Sequence, residues 1–285
     1  MGRKLDDAAV RLKFMAFLKT IIARAYFHGA FYNSRHGNAL FSAEPQPVFS
    51  TMLMADDTDQ IAAWRREQRR VLIARREAIE PEALLKRRKA IDAHLRRGFP
   101  GLRGAVLAIC WPYRNEYDAR HLAAELRRCG SVIALPVVVA PATALEFREW
   151  HPGVSMRKGA LGIAFPANTQ AYQPKVVLLP MVGFDAAGYR LGHGGGYFDR
   201  TLAALNPRPT LIGVAHELAR METIHPQPHD IPVDFVVTER GIYRRDGARL
   251  EFLAAPLQQG EQMPLTSPVC YANSPENRRE GGSGQ

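Results

Sequence analysis

Residues 178–199 read Leu-Leu-Pro-Met-Val-Gly-Phe-Asp-Ala-Ala-Gly-Tyr-Arg-Leu-Gly-His-Gly-Gly-Gly-Tyr-Phe-Asp, and the chemistry is concentrated in the second half. Gly192, Gly194, Gly195 and Gly196 carry no Cβ, so backbone N–H groups there can crowd a ligand. A helix opening at Tyr197 would add its free N–H groups and its dipole, a combination that attracts an anion. Arg190 brings a fixed positive charge suited to phosphate. The run is not a P-loop, because no Lys-Ser or Lys-Thr closes it, and the third glycine of a dinucleotide-binding GxGxxG is displaced. Glycine runs are often plain flexible turns. Arg190 before this one and Tyr-Phe-Asp199 after it argue for a phosphate cradle.

Three other groups of residues could do chemistry. His216, His225 and His229 lie close to Asp230 and raise the alternative of zinc. Their spacings of nine and four residues, broken by Pro226 and Pro228, match no helical His-x-x-x-His pair, and no cysteine joins them. The three cysteines, Cys110, Cys129 and Cys270, form no CxxC pair and suit a reducing, cytoplasmic compartment. Cys110 falls inside an apolar run and reads as core rather than nucleophile. Glu116 follows that run, in a loop at a strand's carboxyl end, where open α/β sheets bind ligands.

The elements that must position these residues alternate along the chain. Ile61–Glu77 is a basic amphipathic helix, and Pro81–Leu95 a second helix with proline in its first turn. Ala105–Trp111 is an apolar strand, Ala119–Cys129 a helix ended by Gly130, and Val132–Val139 another buried strand. A short polar strand, Leu145–Trp150, precedes the apolar strand Val176–Pro180, the glycine-rich loop and the helix Tyr197–Leu205. Leu211–Ala215 and Phe235–Thr238 close the series. Strands apolar on both faces and alternating with helices predict an α/β fold: a single three-layer domain with a mainly parallel, Rossmann-like sheet over residues 56–255.

The flanks read differently. Residues 1–55 form an N-terminal extension open to three readings: an ordered amphipathic helix, a targeting peptide or a disordered leader. Lys13, Lys19 and Arg24 interrupt its apolar run and argue against a secretory signal, and Met52 or Met54 would be a natural alternative start. Residues 256–285, rich in Pro, Gln, Ser and Gly, read as a disordered tail. No apolar run approaches the roughly 18 residues that cross a bilayer, so we expect a soluble protein with no membrane partner. Net charge is +10, of which residues 51–255 hold +7, and a positive body suits anionic partners: nucleic acid, phospholipid, nucleotide or polyanionic cofactor. No aromatic RNA-recognition motif accompanies it, which argues against nucleic acid. We expect a monomer.

The segment Arg190-Leu-Gly-His-Gly-Gly-Gly-Tyr-Phe-Asp-Arg200 resembles the signature of the 5-formyltetrahydrofolate cyclo-ligases, also called 5,10-methenyltetrahydrofolate synthetases. Weaker pieces follow in that family's order: the basic helix near Arg65, Asn115-Glu116-Tyr117-Asp118, Phe147-x-x-Trp150, Ile212-Gly-Val-Ala, Pro228-His-Asp230 and Val233-Asp-Phe-Val-Val-Thr-Glu239. The likeness spans roughly residues 60–243. It implies an enzyme that uses ATP and Mg²⁺ to close 5-formyltetrahydrofolate into 5,10-methenyltetrahydrofolate, releasing ADP and phosphate. It also implies roles. The loop Arg190, Leu191, Gly192, His193, Gly194, Gly195, Gly196, Tyr197 and Phe198 would hold the ATP phosphates, with Arg65 and Arg69 one helical turn apart beside them. Relatives carry lysine where this chain has Arg65. Asp199 and Asp230 would hold magnesium. Glu116 would accept hydrogen bonds from the folate ring, in a pocket shared with Trp111 and His193–Tyr197, and Tyr197 or Trp150 would cover the ring. Plain core packing is an equal alternative for Trp111, Trp150 and Tyr197. Arg190 and His193 are the candidates for contact with the transferring phosphoryl. Where many relatives have an acid before a proline, this chain reads Ile163-Ala-Phe-Pro166. The rival reading is a non-catalytic cyclo-ligase-like module that binds nucleotide or RNA.

Overall fold

The computed structural model describes residues 47–159 and 162–253, with side chains from residue 58 onward. The N-terminal extension up to residue 46 and the tail from residue 254, with the expectations placed on them, lie outside the described residues. Helices α1 (Pro47–Glu77) and α2 (Pro81–Gly98) lead through a 3₁₀ turn, Pro100–Leu102, to strand β1 (Val106–Ala108). Then come α3 (Arg120–Arg128), β2 (Val132–Val137), β3 (Glu146–Glu149), a hairpin of β4 (Met156–Lys158) and β5 (Ala164–Pro166), and β6 (Val176–Pro180). A second small hairpin, β7 (Gly183–Phe184) and β8 (Arg190–Leu191), precedes α4 (Tyr197–Ala204), β9 (Thr210–Val214) and a 3₁₀ turn, Glu217–Ala219. The described chain ends with β10 (Phe235–Thr238), β11 (Gly241–Asp246) and β12 (Arg249–Leu253).

The main sheet runs β12-β11-β10-β9-β6-β1-β2-β3. Its central strands, from β10 to β2, are parallel, and antiparallel strands flank them on both sides. Strand period sorts the side chains onto two faces. Leu107, Ile133, Val176, Leu178, Ile212 and Phe235 point to one face, against Ile91 and Leu95 of α2 and Leu122 and Leu126 of α3. Ala108, Ala134, Val177, Leu179, Leu211 and Val236 point to the other, against Leu202 of α4 and Phe184 of the β7–β8 hairpin. Both faces are therefore covered, the arrangement expected of a parallel sheet whose strands read as continuous apolar runs. Burying each of these Leu, Ile or Val side chains contributes about 1.5–3 kcal/mol. The three-layer, mainly parallel fold predicted from the sequence is the one observed.

Several elements lie outside that prediction. Helix α1 starts at Pro47 rather than Ile61, and α2 runs on to Gly98. The β11–β12 hairpin extends the sheet beyond Phe235–Thr238, turning at Asp246-Gly247 with Gly247 left-handed at φ 54°. The β4–β5 and β7–β8 hairpins form separate two-stranded sheets. Among the described residues no helix is long and apolar enough to cross a membrane.

Strand β1 lies between β2, which follows it through α3, and β6, which is reached only after β2–β5. The order of the chain therefore reverses at β1. In open α/β sheets such a reversal opens a crevice beyond the strands' carboxyl ends.

Candidate active site

A cavity of about 390 Å³ occupies that crevice. Its walls include Cys110 and Trp111 beyond β1, Leu135, Pro136 and Val138 at the end of β2, and Pro180 at the end of β6. The site residues proposed from the sequence line it, Trp150 excepted: Arg65, Arg69, Trp111, Glu116, the whole stretch Arg190–Asp199, and Asp230.

The glycine-rich loop is delivered by local geometry. Asp185 caps the β7–β8 turn, its Oδ1 accepting from the N–H groups of Ala187 and Tyr189, both at 3.0 Å. The hairpin register then sets Arg190 opposite Phe184, and residues 192–196 leave β8 for the N-terminus of α4. Gly196 caps that helix with φ 62°, and Gly194 has φ 97°, conformations that residues with a Cβ rarely adopt. The backbone N–H groups of residues 192–199 donate to no described residue. Such a run of open donors at a helix N-terminus is suited to an anion.

Cations gather at one end of the cavity. Arg69 donates Nε–H to the Gly192 carbonyl at 2.7 Å, and its terminal nitrogens have no partner among the described residues. Burial, then the neighbouring Arg65 charge, pull the Arg69 pKa down, so positive charge is crowded where an anion would relieve it. Arg190 is buried, bonded to the Ile231 carbonyl and, at 2.7 Å, to Asp199 Oδ1. Desolvation lowers its pKa too, against the opposing pull of Asp199 and Asp230. Arg65 is placed differently from the phosphate contact expected of it. Its Nε–H donates to the Ile224 carbonyl at 3.0 Å, and one terminal nitrogen donates to the His225 carbonyl at 2.8 Å and pairs with Asp230. It latches the loop that carries Asp230.

The two aspartates suit a hard cation. Asp199 and Asp230 line the same cavity, and both act on Arg190. Hydrogen bonds from described residues reach only Oδ1 of Asp199, leaving Oδ2 open. Burial pushes the Asp230 carboxyl up, but Arg65 and the Gln227 N–H hold it below the usual carboxylate range overall. Two carboxylates beside an anion cradle fit Mg²⁺, which takes few protein ligands and fills its shell with water and phosphate oxygens. They do not fit zinc: no group of three His, Cys, Asp or Glu ligands occurs among the described residues. His216 is buried against the Asn115 carbonyl, and His225 packs edge-on against Trp64, 4.6 Å between rings.

The cavity is also lined by apolar and aromatic residues, among them Trp111, Tyr113, Leu135 and Phe165, with Glu116 as a buried polar group beside them. Glu116 Oε1 accepts from His193 Nε2 at 2.8 Å and Oε2 from the Tyr113 N–H at 3.2 Å, with Arg76 3.5 Å from Oε1. Tyr113 packs edge-on to His193. Trp111 lines the cavity under the Arg120 guanidinium, which sits 4.6 Å from its ring centre, and also packs against the core. Trp150 is core: it is buried behind Trp111 and does not line the cavity. Cys110, expected in the core, forms part of the cavity wall. Burial, then the Glu116 charge, push its thiol well above the ordinary range, which disfavours the thiolate.

Sequence reasoning missed Tyr113, the apolar walls Leu135, Pro136, Val138 and Phe165, and the supporting Arg76. The walls read as ordinary strand residues. Arg76 had a legible signal, since Arg65, Arg69, Leu72, Ile73 and Arg76 recur at spacings of three and four on one helix face. Arginine on the apolar face of an amphipathic helix is rare without a buried partner.

Comparison with known proteins identifies the family. The chain is 30% identical over 177 residues to the 5-formyltetrahydrofolate cyclo-ligase of Escherichia coli strain K12, covering 59% of this chain and 97% of that protein. It is 28% identical over 181 residues to the enzyme of the same name from Mycolicibacterium smegmatis, covering 56% and 92%. The solution structure of Aquifex aeolicus 5,10-methenyltetrahydrofolate synthetase superimposes with a TM-score of 0.57 at 27% identity, covering 67% of this chain and 98% of that one. The sequence profile of the 5-formyltetrahydrofolate cyclo-ligase family matches residues 61–239, and the chain belongs to that family.

Proposed function

We propose that the chain converts 5-formyltetrahydrofolate to 5,10-methenyltetrahydrofolate, using ATP and releasing ADP and phosphate. One observation carries this reading: the open N–H groups of residues 192–199 line one cavity together with Arg69, Arg190, Asp199 and Asp230 and with Trp111, Tyr113 and Glu116. Arg69 bonds that loop at Gly192, and Glu116 bonds it at His193. A phosphate donor held beside Arg69 and a ring-bearing acceptor held beside Glu116 would meet at the loop.

The chemistry needs such a meeting. A formamide carbon is a poor electrophile until its oxygen becomes a leaving group. The N5-formyl oxygen attacks the γ-phosphorus and ADP departs; N10 attacks the activated carbon, the carbon–oxygen bond breaks to release phosphate, and the N10 proton is lost to the departing phosphate or to water. Phosphoryl transfer asks mainly for alignment and charge neutralisation. Arg69 and the loop N–H groups would grip the triphosphate, and Arg190, fixed by Ile231 and Asp199, would sit beside the phosphoryl. Asp199 and Asp230 would hold a magnesium ion, whose charge offsets that of the phosphate oxygens. Glu116 would accept from ring N–H groups in exchange for His193, which is then released toward the reacting end.

The test is an absorbance assay for methenyl product with 5-formyltetrahydrofolate, ATP and Mg²⁺. Product that forms only with all three supports the reading. Purified, folded protein that forms none under those conditions would refute it.

A further inference from the structure

Glu116 ends a turn in which the two residues before it, Arg114 and Asn115, are both left-handed, with φ 50° and 58°. Side chains with a Cβ hold that conformation only where the surroundings fix it. Here they are fixed from the last turn of α1. Arg76 donates Nε–H to the Arg114 carbonyl at 2.8 Å and a terminal N–H to the Tyr113 carbonyl at 3.4 Å, and its guanidinium lies 3.5 Å from Glu116 Oε1. Glu77 pairs with Arg114 at 2.6 Å, and its carbonyl accepts from the Asn115 side chain at 3.4 Å. From the far side, His216 Nε2–H donates to the Asn115 carbonyl at 3.0 Å. The Arg76 and Glu116 side chains are each only 5% exposed.

We propose that Arg76 is a positioning residue for the folate end of the site. It holds the 113–116 turn in its left-handed form and aims the Glu116 carboxylate into the cavity. Arg69 lies on the same helix, seven residues earlier, about 10 Å along the axis at 1.5 Å per residue. The helix thus sets the distance between the nucleotide grip and the folate acceptor. The inference rests on the folate role of Glu116 proposed above.

The experiment compares Arg76→Lys, Glu116→Gln and the double variant with wild type, measuring KM for 5-formyltetrahydrofolate and for ATP. Rates are normalised to the fraction of protein that binds Mg·ATP by calorimetry, so misfolded molecules do not enter. Lysine keeps the charge but cannot serve three acceptors in a fork. Arg76→Lys is expected to raise the folate KM by about tenfold or more and leave the ATP KM within about twofold. In the Glu116→Gln background the same substitution is expected to change the folate KM by less than about twofold, because Arg76 acts through Glu116. A merely structural arginine would move both KM values together, or cost as much in the Gln background as in wild type. Either result overturns the inference, as does an unchanged folate KM. Absence of turnover in wild type is a separate outcome that removes the folate reading itself.

Discussion

Arg69→Met and Arg65→Met should differ in kind, although both remove an arginine from the same helix face. Arg69 ties down only its Nε–H, on the Gly192 carbonyl, and leaves its terminal N–H groups for a ligand. A charge-assisted hydrogen bond contributes about 1.5–3 kcal/mol. With one bond to phosphate lost and the loop anchor gone as well, the expected loss is about 3 kcal/mol, or roughly a hundredfold in Kd at 1.4 kcal/mol per decade. Arg65 instead holds the Ile224 and His225 carbonyls and Asp230 from a side chain only 11% exposed. Its removal should cost about 1–3 kcal/mol of stability, because it leaves buried acceptors unpaired. Calorimetric titration with Mg²⁺ and a non-hydrolysable ATP analogue reads the first quantity, and thermal unfolding reads the second. Arg69→Met should bind about a hundredfold more weakly at an almost unchanged Tm. Arg65→Met should lose several degrees of Tm, with a smaller effect on binding. Should Arg69→Met bind the analogue within about threefold of wild type, the assignment of Arg69 to phosphate is wrong.

Asp199→Asn preserves the acceptor for Arg190 and the Ile231 N–H but removes the charge, so the Mg²⁺ concentration giving half-maximal turnover should rise by about tenfold or more. An unchanged requirement would take Asp199 out of the metal site. Gly195→Ala would put a Cβ 2.8 Å from Tyr197 Cδ2 and force that ring aside, so the folate KM should rise while Tm hardly moves on an exposed loop. An unaltered KM would separate Tyr197 from the substrate. Burial holds the His216 and His94 rings below the ordinary imidazole pKa of 6.5. The unfolded chain therefore takes up protons first as pH falls, so stability present above about 6.5 is lost below it. Denaturant unfolding at pH 7.5 and 5.5 should show that loss, and a His94→Gln, His216→Gln double variant should show less of it. An equal loss in the variant would assign the effect to other groups.

What could be read from the sequence was whatever one segment carries by itself. The loop from Arg190 to Asp199 keeps its arginine, glycines and aspartate within a single strand-turn-helix unit, so residue type and order were enough to place it. The apolar walls were not legible, because Leu135 and Val138 look the same at a strand's carboxyl end as in its middle. Only the reversal of strand order at β1 makes that end a crevice. Cys110 reads as core for the same reason. The Asp246-Gly247 turn was a usable hairpin signal, and it marks the β11–β12 pair that the sequence reading left out. The role of Arg65 was hidden for another reason: its partners lie about 160 positions away, so nothing local distinguishes a latch on the 224–230 loop from a phosphate contact.

The same locality would let the loop serve both ligands of the proposed reaction. Gly192 and His193 are neighbours, yet Gly192 is bonded by Arg69 and His193 bonds Glu116. A shift of the loop by one residue would therefore disturb both ends of the cavity together. On the proposed reaction, the formyl oxygen must meet the γ-phosphorus in line, and effective alignment tolerates little slack. Helix α1 removes that slack by holding the loop through Arg69 and the Glu116 turn through Arg76 on one rigid rod. On that reading, the cations on this helix face serve alignment, where apolar residues would have packed more cheaply.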